Sequence, residues 1–500
     1  MGIKIGGYIQ KINGKELSYR DFTERYLTKN EPVVLTGLMD DWQACEDWVT
    51  HDGKPNLHFF STHFAKSKVQ VAECGTREFT DQKRVEMSVS EFVDHWLEDS
   101  TGNHEGKEKS LLYLKDWHFV KEYPEYVAYT TPLFFSDDWL NLYLDNYRMH
   151  KDPDTYQGNN EICCSDYRFV YMGAKGSWTP LHADVFRSYS WSANVCGRKK
   201  WLFLPPSQCH LVFGRNMRSC VYNIFEDVSE TKFPGFDKAI WLECTQEKNE
   251  MIFVPSGWYH QVHNLEDTIS INHNWFNAYN ISWVWDLLLK DYKEARDYIE
   301  DIKDICDDFE SLCQRNLAAN TGMDFYDFFI FISRFSLAIV VQLYSLLINT
   351  NFESPIPSWS PTAWHLVFNL ASIRRIALKM KSEGCLIGNY GILDLSESLD
   401  NPQFLKLCAD LGRTYTMIHD QESQRFNVKE VFMVLLEESI LQICAPEDLV
   451  KFIDFSVAKI SVSFGKENIL LSVLDDTQPH VDCESDAKVD HVLYEIYSWI

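Results

Sequence analysis

Between residues 167 and 274 the sequence repeats one pattern, in which a short apolar or alternating run is closed by glycine, proline or polar residues. Runs of this length and composition fit short β-strands. They are Tyr167–Met172, the run around His182, Ser188–Val195, Lys199–Leu204, Met251–Val254, His260–His263 and Thr268–Asn274. So many short strands in one region are typical of a small all-β barrel or a double-sheet jelly roll, which we expect at the centre of the chain.

The sequence on either side of this region has a different texture. Residues 1–130 mix helical and extended pieces, and after residue 285 apolar residues recur at helical spacing. The helical runs are Leu287–Leu312, Phe325–Ile348, Ala363–Met380, Phe404–His419 and Val428–Ile443. We therefore predict an α+β fold with a mixed α/β N-terminal segment (1–130) packing on the barrel, a jelly-roll core (131–285) and an α-helical C-terminal domain (286–500).

The composition limits the partners of this chain. Its formal net charge is −26, and a surface of that sign repels nucleic-acid phosphates unless a basic stripe overrides it. The only tight basic cluster, Arg198–Lys200, is too short for such a stripe. We therefore expect no direct contact with nucleic acid, and we expect a basic protein or peptide to be attracted.

Three further observations predict a cytoplasmic protein, with nuclear access left open. The 14 cysteines are scattered and contain no C-x-x-C, which favours reduced thiols. The opening MGIKIGGYIQK lacks the apolar core of a signal peptide. The apolar run Phe335–Ile348 is shorter than the roughly twenty residues that span a bilayer, so we predict a buried helix there and no membrane contact.

Three side chains in the strand region could bind one metal ion. His182 and Asp184 are two residues apart, so on an extended strand both would point to the same face. His260 follows a Pro-Ser-Gly turn at the start of a later strand and is the best third ligand. Two histidines and one carboxylate on one side of an ion leave the opposite positions open, as in non-haem Fe(II) oxygenases. A zinc hydrolase with the same ligands stays an alternative.

Other conspicuous residues of these strands fit structural roles. His263 lies three residues after His260, an odd offset that points it to the opposite face of a regular strand. His273 is one residue from Asn272 and from Asn274, which is also an odd offset, so it should face away from both of them. Three large aromatic residues are interpreted as barrel packing: Trp191, Trp258 and Trp275.

Four sequence motifs resemble one known family. They are T-P-L-H-A-D from Thr179, G-R-K-K-W from Gly197, F-V-P-S-G-W-Y-H-Q-V-x-N from Phe253 and I-S-I-N-H-N-W from Ile269. Together they resemble the jumonji-C family of Fe(II)- and 2-oxoglutarate-dependent oxygenases, over roughly residues 30–285. The resemblance implies a cupin-like double-stranded β-helix as the jelly-roll core, with Fe(II) as cofactor and 2-oxoglutarate and O₂ as cosubstrates.

The same resemblance assigns roles residue by residue. His182, Asp184 and His260 match the iron-binding, catalytic triad. Lys199 matches the basic residue that pairs with the distal carboxylate of 2-oxoglutarate, while its neighbours Arg198 and Lys200 should face the other way. The remaining positions that match cosubstrate contacts are Thr179, Tyr113, Asn272 and Asn274.

The chain departs from the family pattern at one turn. A glycine commonly precedes the acidic residue before the F-V-P run, and here the pair is Asn249-Glu250. Asparagine tolerates a left-handed backbone better than most residues, so we expect the turn to survive.

The resemblance implies a protein hydroxylase that releases succinate and CO₂. An H-x-D triad is more similar to the hydroxylases of the family than to its histone demethylases. It further implies lysyl hydroxylation of a translation-termination release factor as the protein partner. Two alternatives remain, an N-methyl-lysine demethylase with the same iron chemistry and a non-catalytic binding protein.

Overall fold

A computed structural model describes residues 3–100, 111–149, 166–215, 217–226, 228–349, 360–384, 393–420 and 442–463. The chain forms two compact units. The first comprises Met1–Phe135 and Asp166–Trp275, and the second comprises Ser136–Ser165 and Phe276–Ile500. The division into three segments at residues 130 and 285 stays a prediction.

The first unit is built on fourteen strands in the part of the chain that the structure describes. In chain order they are β1 (Lys4–Tyr8), β2 (Lys11–Asn13), β3 (Val33–Thr36), β4 (Lys68–Glu78), β5 (Asp81–Ser88), β6 (Leu112–Trp117), β7 (Arg168–Gly173), β8 (Trp178–His182), β9 (Tyr189–Cys196), β10 (Lys199–Leu204), β11 (Ile240–Gln246), β12 (Glu250–Val254), β13 (Tyr259–Asn264) and β14 (Thr268–Trp275). The helices of this unit are α1 (Tyr19–Phe22), α2 (Gln43–Asp47), α3 (Leu57–His63), α4 (Val89–Ser100) and α5 (Phe119–Glu122).

These strands form two sheets that pack face to face. The small sheet has the order β1-β11-β10-β13-β8, and the large sheet has the order β2-β3-β12-β9-β14-β7-β6-β4-β5. A buried cluster joins Trp201 and Phe203 of the small sheet to Val34, Ile252 and Val254 of the large sheet. Sheets joined in this way by their apolar side chains form a jelly-roll sandwich, so the predicted α+β jelly-roll fold is confirmed.

The central strands of the large sheet have one polar and one apolar face. Along β9, Ser190, Ser192 and Asn194 alternate with Tyr189, Trp191, Ala193 and Val195, and side chains alternate between the faces of a strand. Strand β14 pairs with β9 so that Asn272 is opposite Ser192 and Asn274 is opposite Ser190. The serine and asparagine residues therefore share one face. Trp191 and Trp275 lie on the other, where each contacts Phe135.

The outer face of the small sheet is also covered. Leu202 and Leu204 of β10 pack in one buried cluster with Val212, Val221 and Ile224, which belong to the long connection between β10 and β11. Because Lys199, Trp201 and Phe203 alternate with these leucines, they face the inside of the sandwich.

The second unit is helical. Its described helices are α6 (Trp139–Leu144), α7 (Ile281–Tyr298), α8 (Phe309–Thr321), α9 (Phe325–Asn349), α10 (Pro361–Glu383), α11 (Leu395–Asp400), α12 (Pro402–Ile418) and α13 (Pro446–Ser463), with a short hairpin of β15 (Leu393–Asp394) and β16 (Gln442–Ile443). Helix α9 is long and apolar enough by composition to cross a membrane, but most of that stretch is buried inside the unit. It packs against α10, α12 and α13, as the prediction of a buried helix requires.

Several elements differ from the sequence prediction. The predicted run Leu287–Leu312 is divided between α7 and α8, with a 3₁₀ segment at Glu300–Ile305 between them. Helix α13 and the strands β1, β2, β5 and β11 were not predicted. Most of the predicted helix Val428–Ile443 lies outside the described residues. The ten cysteines in the described ranges are free thiols, as expected.

We predict that Gly197 is essential to the connection between the two sheets. It links β9 to β10 with φ of 73°, and a Cβ there would lie 2.1 Å from the carbonyl oxygen of Asp267. Gly197→Ala should cost about 1–2 kcal/mol for the left-handed backbone and a further ~1–3 kcal/mol for the overlap. Gly53→Ala is the control, because Gly53 has φ of 82° and open space around it. Thermal unfolding should show the larger fall in Tm for Gly197→Ala, and equal falls would contradict this account.

Candidate metal centre

The structure brings the three predicted metal ligands together. His182 ends β8 and is paired directly with His260 at the start of β13. One ligand atom from each of His182, Asp184 and His260 lies within 4.8 Å of the other two. The group therefore has the spacing that a single metal ion requires.

Asp184 is positioned differently from the prediction. Strand β8 ends at His182, and Asp184 precedes a 3₁₀ turn at Val185–Arg187, so the expectation that His182 and Asp184 share one regular strand is wrong. Asp184 keeps an extended backbone, with φ of −64° and ψ of 154°. The chain then turns sharply through Phe186 and Arg187, which both have positive φ. The buried ring of Phe186, packed against Tyr167, helps to hold this strained turn.

Backbone carbonyls fix the orientation of both imidazoles. Nδ1 of His182 lies 2.8 Å from the carbonyl oxygen of Pro180, and Nδ1 of His260 lies 3.1 Å from that of Trp258. A carbonyl oxygen only accepts hydrogen bonds, so each Nδ1 carries a proton, and in the neutral ring the lone pair is then on Nε2. Both Nε2 atoms face Asp184, at 3.9 Å and 4.0 Å from its Oδ1.

The two carboxylate oxygens of Asp184 have different surroundings because Ser190 binds one of them. Its hydroxyl donates a hydrogen bond of 2.6 Å to Oδ2, while Oδ1 faces the histidines. This arrangement favours binding of a metal through Oδ1 alone. Ser190 was not among the predicted site residues, although its place on the polar face of β9 was a signal for it.

Burial keeps His260 ready to act as a ligand. Its ring is enclosed by Trp201 and Phe203, each with ring centroids 5.6 Å away. Desolvation, with a further contribution from His182, lowers the pKa of His260 to about 4. A neutral imidazole at physiological pH can give its lone pair to a metal. Two imidazole nitrogens and one carboxylate oxygen fit a divalent transition metal and leave further coordination positions open.

Lys199 lies deeper between the sheets. It is buried, and its Nζ donates hydrogen bonds to Ser270 Oγ at 2.7 Å and to Tyr113 Oη at 3.3 Å. Burial lowers the pKa of Lys199 to about 7. Within the described ranges no carboxylate accepts a hydrogen bond from this ammonium. A buried cation without a counter-ion is costly, so the position is suited to an anionic ligand.

The other residues predicted to contact the cosubstrate have different neighbours. Thr179 is opposite Val262, whose side chain belongs to the interior cluster, so Thr179 faces the same interior. Asn272 Nδ2 donates to Ser270 Oγ at 3.1 Å and so reaches Lys199 through that hydroxyl. Asn274 Nδ2 instead donates to Ser188 Oγ at 3.2 Å, near the turn that carries Asp184. Ser270 is the contact that the sequence analysis missed.

The residues predicted to face away do so. The ring of His263 stacks on Trp178 at an interplanar angle of 4°, and His273 packs against Trp191 on the apolar face of the large sheet. Lys200 pairs with Glu243 at 3.0 Å, and Arg198 pairs with Glu266 at 2.8 Å. The turn at Asn249 is also retained, with φ of 62°.

A matched pair of histidine variants tests the metal centre. Loss of a residue that only orients a ligand costs about 10–100-fold in metal affinity, so His260→Ala should weaken binding by more than about 100-fold. His263→Ala removes an imidazole from the opposite face of the same strand and should leave binding unchanged. Titration with Co²⁺, followed by visible absorption, measures both. Equal affinities in the two variants would mean that His260 is no ligand.

Comparison with known proteins agrees with this geometry. The cupin-like domain family matches residues 19–281. The chain is 62% identical over 458 residues to a protein of Arabidopsis thaliana named arginine-specific demethylase JMJ20, covering 91% of this chain and 97% of that protein. It is also similar to the proteins named 2-oxoglutarate and iron-dependent oxygenase JMJD4 of Danio rerio, at 42% identity over 322 residues (63% and 71% coverage), and Homo sapiens, at 36% over 319 residues (63% and 72%).

The resemblance inferred from the motifs is thus confirmed over more than half of the sequence. The chain belongs to the cupin-like jumonji-C family of iron- and 2-oxoglutarate-dependent oxygenases.

Proposed function

We propose that this oxygenase hydroxylates a lysyl side chain of a protein, with His182, Asp184 and His260 as the iron ligands. Lys199 binds the distal carboxylate of 2-oxoglutarate. The observation that carries the proposal is a buried ammonium that has no carboxylate partner among the described residues and lies in the same interior as three convergent candidate metal ligands. The iron supplies the oxygen chemistry: 2-oxoglutarate and O₂ become succinate and CO₂, and one C–H bond of the substrate becomes C–OH.

The residues of the chain bind the cosubstrate and hold it in position. The ammonium of Lys199 neutralises the distal carboxylate, and the hydroxyl of Tyr113 is close enough to join it. Ser270 and Asn272 hold Lys199 in place by a chain of hydrogen bonds. Trp201 and Phe203 keep water from this side of the metal centre, which strengthens each electrostatic contact.

The substrate that we propose is a translation-termination release factor, modified in the cytoplasm. The net charge of −26 supports a cationic partner, because a negative surface accelerates the approach of a basic peptide. The free thiols of the described cysteines fit a reducing compartment.

Arginine N-demethylation is the second candidate. It is favoured by the 62% identity to the relative named arginine-specific demethylase JMJ20. The two reactions share their first step, the hydroxylation of a C–H bond. On a lysine side chain the alcohol is stable, whereas on an N-methyl carbon it is a hydroxymethyl group that breaks its C–N bond and leaves as formaldehyde. The same interior could therefore serve either substrate, and N-methyl-lysine demethylation is subject to the same test.

Peptide mass mapping distinguishes these reactions. The full-length chain is incubated with Fe(II), 2-oxoglutarate, O₂ and either intact release factor or peptides bearing methylated arginine or lysine. We expect a gain of one oxygen on a release-factor lysine, without formaldehyde. Loss of a methyl group with formaldehyde would instead establish demethylation. Equal succinate formation by wild type and His182→Ala would contradict the oxygenase mechanism at this site.

A second prediction concerns Lys199 itself. Lys199→Ala removes the charge that pairs with the distal carboxylate, so the KM for 2-oxoglutarate should rise at least about tenfold. The requirement for Fe(II) should change little, because Lys199 is not a metal ligand. Lys200→Ala is the matched control, since the neighbouring ammonium pairs with Glu243 outside the barrel. An unchanged 2-oxoglutarate dependence in Lys199→Ala would mean that another cation binds the cosubstrate.

A further inference from the structure

A second lysine is buried beside the proposed cosubstrate pocket. Lys115 lies on β6 two residues after Tyr113 and is only 2% exposed. Its Nζ lies 5.2 Å from the centroid of the Tyr113 ring, and Nζ of Lys199 lies 5.9 Å from the same centroid. Two ammonium groups therefore approach one aromatic ring inside the sandwich.

Lys115 has no anionic hydrogen-bond partner among the described residues. Its Nζ donates to Gln82 Oε1 at 2.9 Å. The nearby carboxylates are already engaged: Asp116 accepts from Arg84 and from the hydroxyl of Tyr171, both at 2.6 Å. Asp81 accepts from the backbone of Gln82 and from Arg84. The positive charge of Lys115 is therefore not paired with either carboxylate through a hydrogen bond, and its field extends into the interior of the sandwich.

The positive charges of Lys115 and Lys199 repel each other. Burial, followed by the charge of Arg84, lowers the pKa of Lys115 to about 8. The charge of Lys115 contributes to the lowered pKa of Lys199. Such repulsion is unfavourable to the fold, and a ligand carrying negative charge between or beside the two ammonium groups relieves it.

We propose that Lys115 is a second cation of the cosubstrate pocket, which strengthens the binding of 2-oxoglutarate through its charge without touching it. This inference rests on the proposed binding of 2-oxoglutarate at Lys199. It makes Lys115 a positioning residue, acting across Tyr113 on the distal carboxylate. The competing explanation is structural: Lys115 would simply bind Gln82 and so hold strand β5 against β4 and β6.

Charge and structure can be separated at Gln82. Gln82→Glu keeps the shape of the side chain and places a carboxylate on Lys115, which cancels its charge. Gln82→Met removes the hydrogen bond but leaves the charge in place. Lys115→Met removes the charge directly. If Lys115 acts through its charge, Lys115→Met and Gln82→Glu should weaken the binding of 2-oxoglutarate to the same extent. Gln82→Met should weaken it less.

The test measures the Kd of 2-oxoglutarate by isothermal titration calorimetry, with the full-length protein loaded with Mn²⁺ in the absence of O₂. At the interaction distances expected in this interior, loss of one charge should weaken binding about tenfold. Lys115→Met and Gln82→Glu should both show this loss, with Mn²⁺ affinity and Tm near those of wild type. Lys200→Met, which removes an ammonium outside the barrel, should bind 2-oxoglutarate like wild type.

The inference would be overturned by wild-type affinity for 2-oxoglutarate in Lys115→Met, or by an equal loss of affinity in Gln82→Met and Gln82→Glu. A loss of Mn²⁺ binding together with 2-oxoglutarate binding in Lys115→Met would likewise assign it a structural role. Failure of the proposed function has a different signature, because wild type and Lys199→Ala would then bind 2-oxoglutarate equally weakly or equally well.

Discussion

The two-residue alternation of β9 and β14 is the constraint on which the centre of this protein depends. Both strands are buried on both faces, and their residues alternate so that one face is apolar and the other is polar. Their apolar face holds Trp191 and Trp275 against Phe135. Their polar face presents Ser190 to Asp184 and Ser270 to Lys199. A shift of one residue in register would exchange these faces, so the packing of the tryptophans also positions the site.

The same alternation separates functional residues from similar neighbours on the small sheet. Lys199 faces inward, where no carboxylate of the described ranges pairs with it, while Lys200 faces outward and pairs with Glu243. His260 joins the ligand group, while His263 stacks on Trp178 outside it. Chemically identical side chains therefore differ in charge environment by their position on a strand, which explains how a run such as Arg198–Lys200 contains one candidate pocket residue and two surface cations.

Sequence reasoning succeeded where the pattern was regular. Strand β10 was predicted with its observed bounds, Lys199–Leu204, and the long apolar helix α9 was predicted almost to its ends. It failed at β1, β2 and β5, which lie at or next to sheet edges and are too polar to signal burial. It also placed Asp184 on a strand, because the turn that follows relies on left-handed Phe186 and Arg187, residues without turn propensity. Ser190 and Ser270 were missed because a small hydroxyl is recognisable only by the partner that the fold supplies.

The position of the polar face between the two sheets helps to explain why related proteins are named for different reactions. The candidate metal ligands lie together, and hydroxyls of the polar face hold Asp184 and Lys199. Under the proposed function these residues bind the iron and the 2-oxoglutarate with which a C–H bond is oxidised. None of these residues needs to distinguish a methylene of lysine from an N-methyl group of arginine. That choice depends on which carbon is delivered to the site, and the strained turn at Val185–Arg187, which directly follows Asp184, borders the candidate ligands. Divergence of substrate is therefore compatible with an unchanged interior, and residues that present the substrate, more than residues that bind the metal, should separate hydroxylases from demethylases within the family.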